Sequence, residues 1–119
     1  MNGNVIKDKS FRFAVRVVKL CKYLKTEKHE YILSKQLMRS GTSIGANVRE
    51  SQNAESKADF IHKLAISQKE ADETLYWLEL LKETDYITKE EFESLESDAS
   101  ELLKIIRSII LTTKNNKRN

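Results

Sequence analysis

The sequence predicts an all-α fold, an antiparallel up-down four-helix bundle, and three observations carry that reading. The 119 residues include no proline and three glycines, and a third of them are charged, which argues against a sandwich, a barrel or a turn-rich disulfide scaffold. Apolar residues recur at three- and four-residue steps in four separate segments, the period of a helix face. The breaks between segments are short, as antiparallel neighbours require. A chain of 119 residues supplies one core. Residues 1–113 are therefore expected to form a single bundle, and residues 114–119 a disordered basic tail.

In the first segment Phe13, Val17, Leu20 and Leu24 keep a 4-3-4 spacing, with Ala14, Val18 and Cys21 beside them. A helix over about Ser10 to Lys25 places them on one inward face. The second helix is expected over about Lys28 to Asn53. Leu33, Leu37, Ile44 and Val48 hold their phase straight across Gly41 and Gly45, which a loop would not preserve. The glycines are then places where a neighbouring helix comes close, because a missing side chain lets backbones approach. Ser56 caps the third helix, with Asp59 three residues on. Its seam is Phe60, Leu64, Ser67, Ala71, Thr74, Leu78 and Leu81. The same helix carries Ile66, Tyr76, Trp77 and Leu80 on its far side. That second apolar face is expected to meet a partner subunit. The fourth helix opens on a capping box, Thr88 with Glu91, and continues through Phe92, Leu95, Ala99, Leu102, Ile106, Ile109 and Thr113. Between the third and fourth helices, Thr84 to Ile87 has room only for a tight turn.

The net charge of +3 is unevenly spread. Residues 1–26 hold seven cations and one acid, residues 56–113 are acidic, and the end is basic again through Lys114, Lys117 and Arg118. Lys9, Arg12, Arg16 and Lys19 fall in one narrow sector of the first helix at about 100° per residue. Such a stripe either tracks a phosphate backbone, helped by the tail, or pairs with an acidic row such as Glu90, Glu93 and Glu101. No leader-like run follows Met1, and no stretch approaches a membrane span. A cytoplasmic location is expected, with no membrane partner.

Catalysis is not expected. His29 and His62 lie in different helices, and Cys21 sits within an apolar stripe as a small hydrophobe. A metal site on inward Glu-x-x-His repeats finds one distant relative, Asp59 with His62, and no second copy. Glu70 and Glu73 point away from the seam by phase. No metal or cofactor is therefore expected. On the second helix Gln36, Ser40, Ser43, Asn47 and Glu50 form a polar strip beside the core stripe. Mutual hydrogen bonding that fixes helix register is its expected role, in preference to ligand binding.

The run from Gln36 to Glu50, with Gly41, Ser43, Gly45 and Asn47 inside it, is followed by Ser56 to Phe60 and by Lys69 to Leu78. In order and spacing this resembles the small bacterial four-helix-bundle proteins encoded in intervening sequences of large-subunit ribosomal RNA genes, often labelled ribosomal proteins. The likeness covers nearly the whole chain; Ser51 and Ser67 stand where Ala is commoner in the family. It implies a bundle assembling into a homo-oligomeric ring, a homopentamer. It also implies kinship with the accessory protein of diversity-generating retroelements, a basic pentameric barrel credited with binding nucleic acid and a reverse transcriptase.

Together these readings lead to a non-enzymatic homo-oligomeric scaffold that associates with RNA or DNA. Its candidate phosphate contacts are Lys9, Arg12, Arg16, Lys19, Lys114, Lys117 and Arg118, and its candidate interface is Ile66, Tyr76, Trp77 and Leu80. The alternative is a protein-interaction adaptor that binds no nucleic acid.

Overall fold

The computed structural model describes residues 2–116. It is all-α: α1 (Asn2–Lys28), α2 (Leu33–Ser51), α3 (Lys57–Glu83) and α4 (Lys89–Asn115), with no strand among the described residues. The body measures 52 × 22 × 19 Å. Each helix packs on its sequence neighbours, α1 also packs on α4, and the diagonal pairs α1/α3 and α2/α4 do not approach each other. One hydrophobic cluster draws on all four helices, with Phe13, Val17, Leu37, Ile44, Leu64, Leu78, Leu102 and Ile106 at its centre.

The α1/α2 contact depends on the two glycines. A Cβ on Gly41 would lie 2.8 Å from both methyls of Val17, and one on Gly45 would lie 3.2 Å from the Ser10 carbonyl oxygen. The helix that comes close is α1, and α2 runs unbroken through both positions.

Helix boundaries differ from expectation where local capping decides them. The first helix begins at Asn2 instead of Ser10, because Ile6 and Ser10 extend the inward stripe by two turns and are both buried. Within that stripe Cys21 is fully buried and Leu20 only half so. The second helix begins at Leu33 instead of Lys28. His29 turns the chain with φ 54°, and the buried Glu30 carboxylate accepts from the backbone N–H groups of Ile32, Leu33 and Ser34 at 3.2, 2.9 and 2.7 Å. A carboxylate there satisfies the open amides and complements the helix dipole.

At α3 the expected cap is present, Ser56 Oγ accepting from Asp59 N at 3.0 Å. The α3 seam is buried from Leu64 to Leu81, with Phe60 half-buried. The helix ends on Asp85, φ 67°, with Tyr86 N donating to Leu81 O at 2.9 Å and Asp85 N to Lys82 O at 3.1 Å. This Schellman geometry reverses the chain in very few residues. Thr88 and Glu91 form the full capping box of α4. That helix continues through Lys114 and Asn115, past the expected end at Thr113, and Lys57 donates to the Asn116 carbonyl at its last turn. Lys117 and Arg118 lie outside the described residues.

Candidate functional site

The sector of α1 that carries Lys9, Arg12 and Arg16 faces α4, and each of the three is paired. Lys9 Nζ meets Glu101 at 3.2 Å, and Arg12 reaches back to Asp8 at 2.6 Å. Arg16 holds Asp98 at 2.6 Å and donates to Ser94 Oγ at 3.0 Å. Glu101 belongs to the acidic row read from the sequence, whereas Asp98 does not. Of the other two expected acids, Glu93 takes Lys89 at 3.9 Å and Glu90 makes no ion pair among the described residues. The partners are 40–72 % exposed, so each pair contributes at most about 1 kcal/mol to stability. Their larger effect is on the field, which they cancel locally. Lys19 and Lys114 are exposed and without an ion pair among the described residues.

Further round α1, by about 130° at 100° per residue, lies a different set. Lys7, Lys22 and Lys25 are exposed and have no ion pair among the described residues. Beside them Phe11 is 55 % exposed. The Arg49 guanidinium of α2 stands 5.6 Å from the Phe11 ring centroid. Lys7, Phe11, Ala14, Thr42, Gly45 and Arg49 border a groove of about 430 Å³ between α1 and α2. Val15 is also exposed here. Reading the sequence for stripes of one kind missed this face. Its signal is the 4-3 spacing of Phe11, Val15 and Val18, although Val18, expected on the inward face, is half-buried.

On α3, Tyr76 is 57 % exposed while Ile66, Trp77 and Leu80 are half-buried. Trp77 Nε1 donates to Glu73 Oε2 at 3.0 Å. Arg39 of α2 donates to the same Glu73 oxygen and to Glu70 Oε1 at 3.2 Å. Tyr76 lies edge-on to Trp77, centroids 5.0 Å apart. An ordered indole is thus held at the α2/α3 boundary by charges from both helices.

Most of the polar strip of α2 is taken up within the fold. The Ser40 and Thr74 hydroxyls meet at 2.9 Å, Asn47 Nδ2 donates to Ser43 O at 2.9 Å, and Glu50 pairs with Lys63 at 3.1 Å. Gln36 shares that flank and is half-buried. Ser51 and Ser67, where the family favours Ala, return their hydroxyls to Val48 O at 2.6 Å and Ile44 O at 2.8 Å. Cys21 donates to Ser34 O at 3.3 Å, and burial pushes its thiol up to about 11, with Lys25 opposing and Glu30 reinforcing the shift. His29 and His62 are both exposed. Among the described residues no three His, Cys, Asp or Glu side chains gather to hold a metal ion, and no helix is long and apolar enough to cross a membrane.

The family model described as 23S rRNA-intervening sequence protein matches residues 3–108. A solved structure of a protein of unknown function from the S23 ribosomal protein family of Bacteroides thetaiotaomicron is similar. It shares 58 % identity over 92 % of this chain and 98 % of its own, with a TM-score of 0.92. No curated protein matches. A match over nearly all of four helices, joined by a fold superposing on a relative at that identity, assigns the chain: it belongs to the family of 23S rRNA-intervening sequence proteins.

Proposed function

We propose that this protein is a non-enzymatic, homo-oligomeric scaffold of the cytoplasm that associates with nucleic acid through the basic side of α1. In this reading the monomer is an antiparallel up-down bundle, and copies join through Ile66, Tyr76, Trp77 and Leu80 into a ring, a pentamer by the family resemblance. The observation that carries the nucleic-acid reading is the imbalance on α1. Among the described residues Lys7, Lys19, Lys22, Lys25 and Lys28 have no ion-pair partner, and the helix itself offers only Asp8 and Glu27 as acids. Unneutralised cations on one helix raise the local concentration of polyanions and lose their grip as salt rises.

The test is binding of nuclease-treated protein to structured RNA and to duplex DNA across a salt series. Micromolar or tighter affinity that falls steeply with salt supports the scaffold reading, and no binding at low salt refutes it. The pairing of Lys9, Arg12 and Arg16 favours a second reading, an adaptor that binds protein alone. A partner recovered by pull-down after nuclease treatment, with no nucleic acid bound at low salt, would establish it.

A further inference from the structure

We infer that the outward face shared by α1 and α2 is a platform for single-stranded nucleic acid, with phosphates held by Lys7, Lys22, Lys25 and Arg49 and a base stacked on Phe11. This rests on the nucleic-acid reading above and places it on atoms that the paired stripe does not include.

Lys7, Phe11, Lys22 and Lys25 lie within about 60° of the α1 circumference at 100° per residue, so they share one face. All four are exposed. The acids that border the face are occupied: Asp8 holds Arg12 at 2.6 Å and Glu50 holds Lys63 at 3.1 Å. Lys7 and Lys25 are separated by about 27 Å along the helix at 1.5 Å per residue, enough backbone for several nucleotides. At the Lys7 end of this track the groove of about 430 Å³ has an apolar floor of Phe11, Ala14 and Ala46. Arg49 is 5.6 Å from the centroid of Phe11, and the ring remains 55 % exposed. A cationic track with an exposed aromatic is how sequence-tolerant proteins take single strands, the ring receiving a base face and the cations the backbone.

A duplex keeps its base faces stacked inside and has nothing to offer Phe11. A protein partner would have to desolvate three lysines, a residue that protein interfaces avoid.

The experiment is fluorescence anisotropy of the full chain with a labelled oligouridine strand and with a duplex of the same length, across a salt series. The single strand is expected to bind more tightly. Phe11→Ala should weaken it about five- to a hundredfold, while Phe11→Trp retains binding. Lys22→Glu with Lys25→Glu should flatten the logarithmic salt slope by about 1.4. Far-UV circular dichroism controls for folding. If the duplex binds as tightly as the single strand and Phe11→Ala changes nothing, nucleic acid binds elsewhere and the platform is wrong. If Phe11→Glu instead changes the size of the assembly, the face belongs to a second copy and the platform is again overturned. Binding of neither probe at low salt removes the nucleic-acid reading itself.

Discussion

Placing a methyl group on Gly41 sets helix propensity directly against packing. An alanine there gains about 1 kcal/mol of propensity over glycine. Its Cβ, however, would stand 2.8 Å from both Val17 methyls and 3.2 Å from Val17 Cβ, against an optimum of about 3.5–4.0 Å between carbons. Val17 is fully buried and, being β-branched on a helix, has a single favoured rotamer. The relief must therefore come from moving α1 off α2, an overpacking cost of about 1–3 kcal/mol. The two terms separate in a double-mutant cycle. In a Val17→Ala background the methyls are gone and only the 3.2 Å approach to Cβ remains, so Gly41→Ala should stabilise by part of the propensity gain. In the parent the same change should be neutral to destabilising. The coupling energy is then about 1–3 kcal/mol, independent of propensity because propensity cancels. Urea unfolding followed by circular dichroism at fixed protomer concentration reads it. A coupling below about 0.5 kcal/mol, with Gly41→Ala stabilising both backgrounds alike, refutes the close approach as the reason for glycine.

If copies join through the α3 face as proposed, Trp77→Glu should reduce the proposed ring to smaller species in light scattering, since a charge buried unpaired at an interface costs several kcal/mol; an unchanged size would refute Trp77 as part of an interface. Arg16→Gln should leave oligouridine affinity within about twofold, because its guanidinium is already committed to Asp98 and Ser94 on the α4 side, and a tenfold loss would return the phosphate contacts to the stripe. Glu30→Ala should destabilise by about 1–2 kcal/mol, as loss of a helix N-cap does, read as a lower urea midpoint. Burial raises the Cys21 thiol to about 11, so the folded state keeps the proton longer than the unfolded chain. The stability this gives is present below the unfolded value and is lost as pH rises through about 11. Cys21→Ala should flatten that alkaline decline in thermal melts, and a decline of equal steepness would refute the attribution.

Much of this fold is legible in sequence because the core positions state their own period. Leu64, Ser67, Ala71, Thr74, Leu78 and Leu81 occupy the α3 seam they predict, and Thr88 with Glu91 caps α4 as read. The N-terminal turns of α1 are harder to read, since one of the two inward positions there is the polar Ser10 and Lys7, Asp8 and Lys9 separate it from Ile6. The start of α2 depends on Glu30 reaching forward to three amides, an arrangement that periodicity cannot reveal. The surface is less legible still. A cation is free or paired according to which helix lies opposite and in what register, and Arg16 finds Asp98 82 positions away. For the same reason Phe11 reads as one exposed aromatic until α2 brings Arg49 beside it.

The core and the charged surface are therefore not independent. Val17 seated on Gly41 and Ser10 seated on Gly45 fix the rotation of α1 about its axis. That rotation turns Lys9 and Arg16 toward α4, where Glu101 and Asp98 neutralise them, and leaves Lys7, Phe11 and Lys22 facing outward beside α2. Turning α1 by one residue, about 100°, would exchange these roles while burying polar groups in the core. The buried polar contacts between helices oppose such slippage, because Cys21 of α1 reaches Ser34 O of α2 and Ser67 of α3 reaches Ile44 O of α2 only in the observed register. Small residues at the α1/α2 seam thus determine which cations remain free. A substitution at Gly41 that rotates α1 should change salt-dependent binding as well as stability, although Gly41 itself is buried and carries no charge.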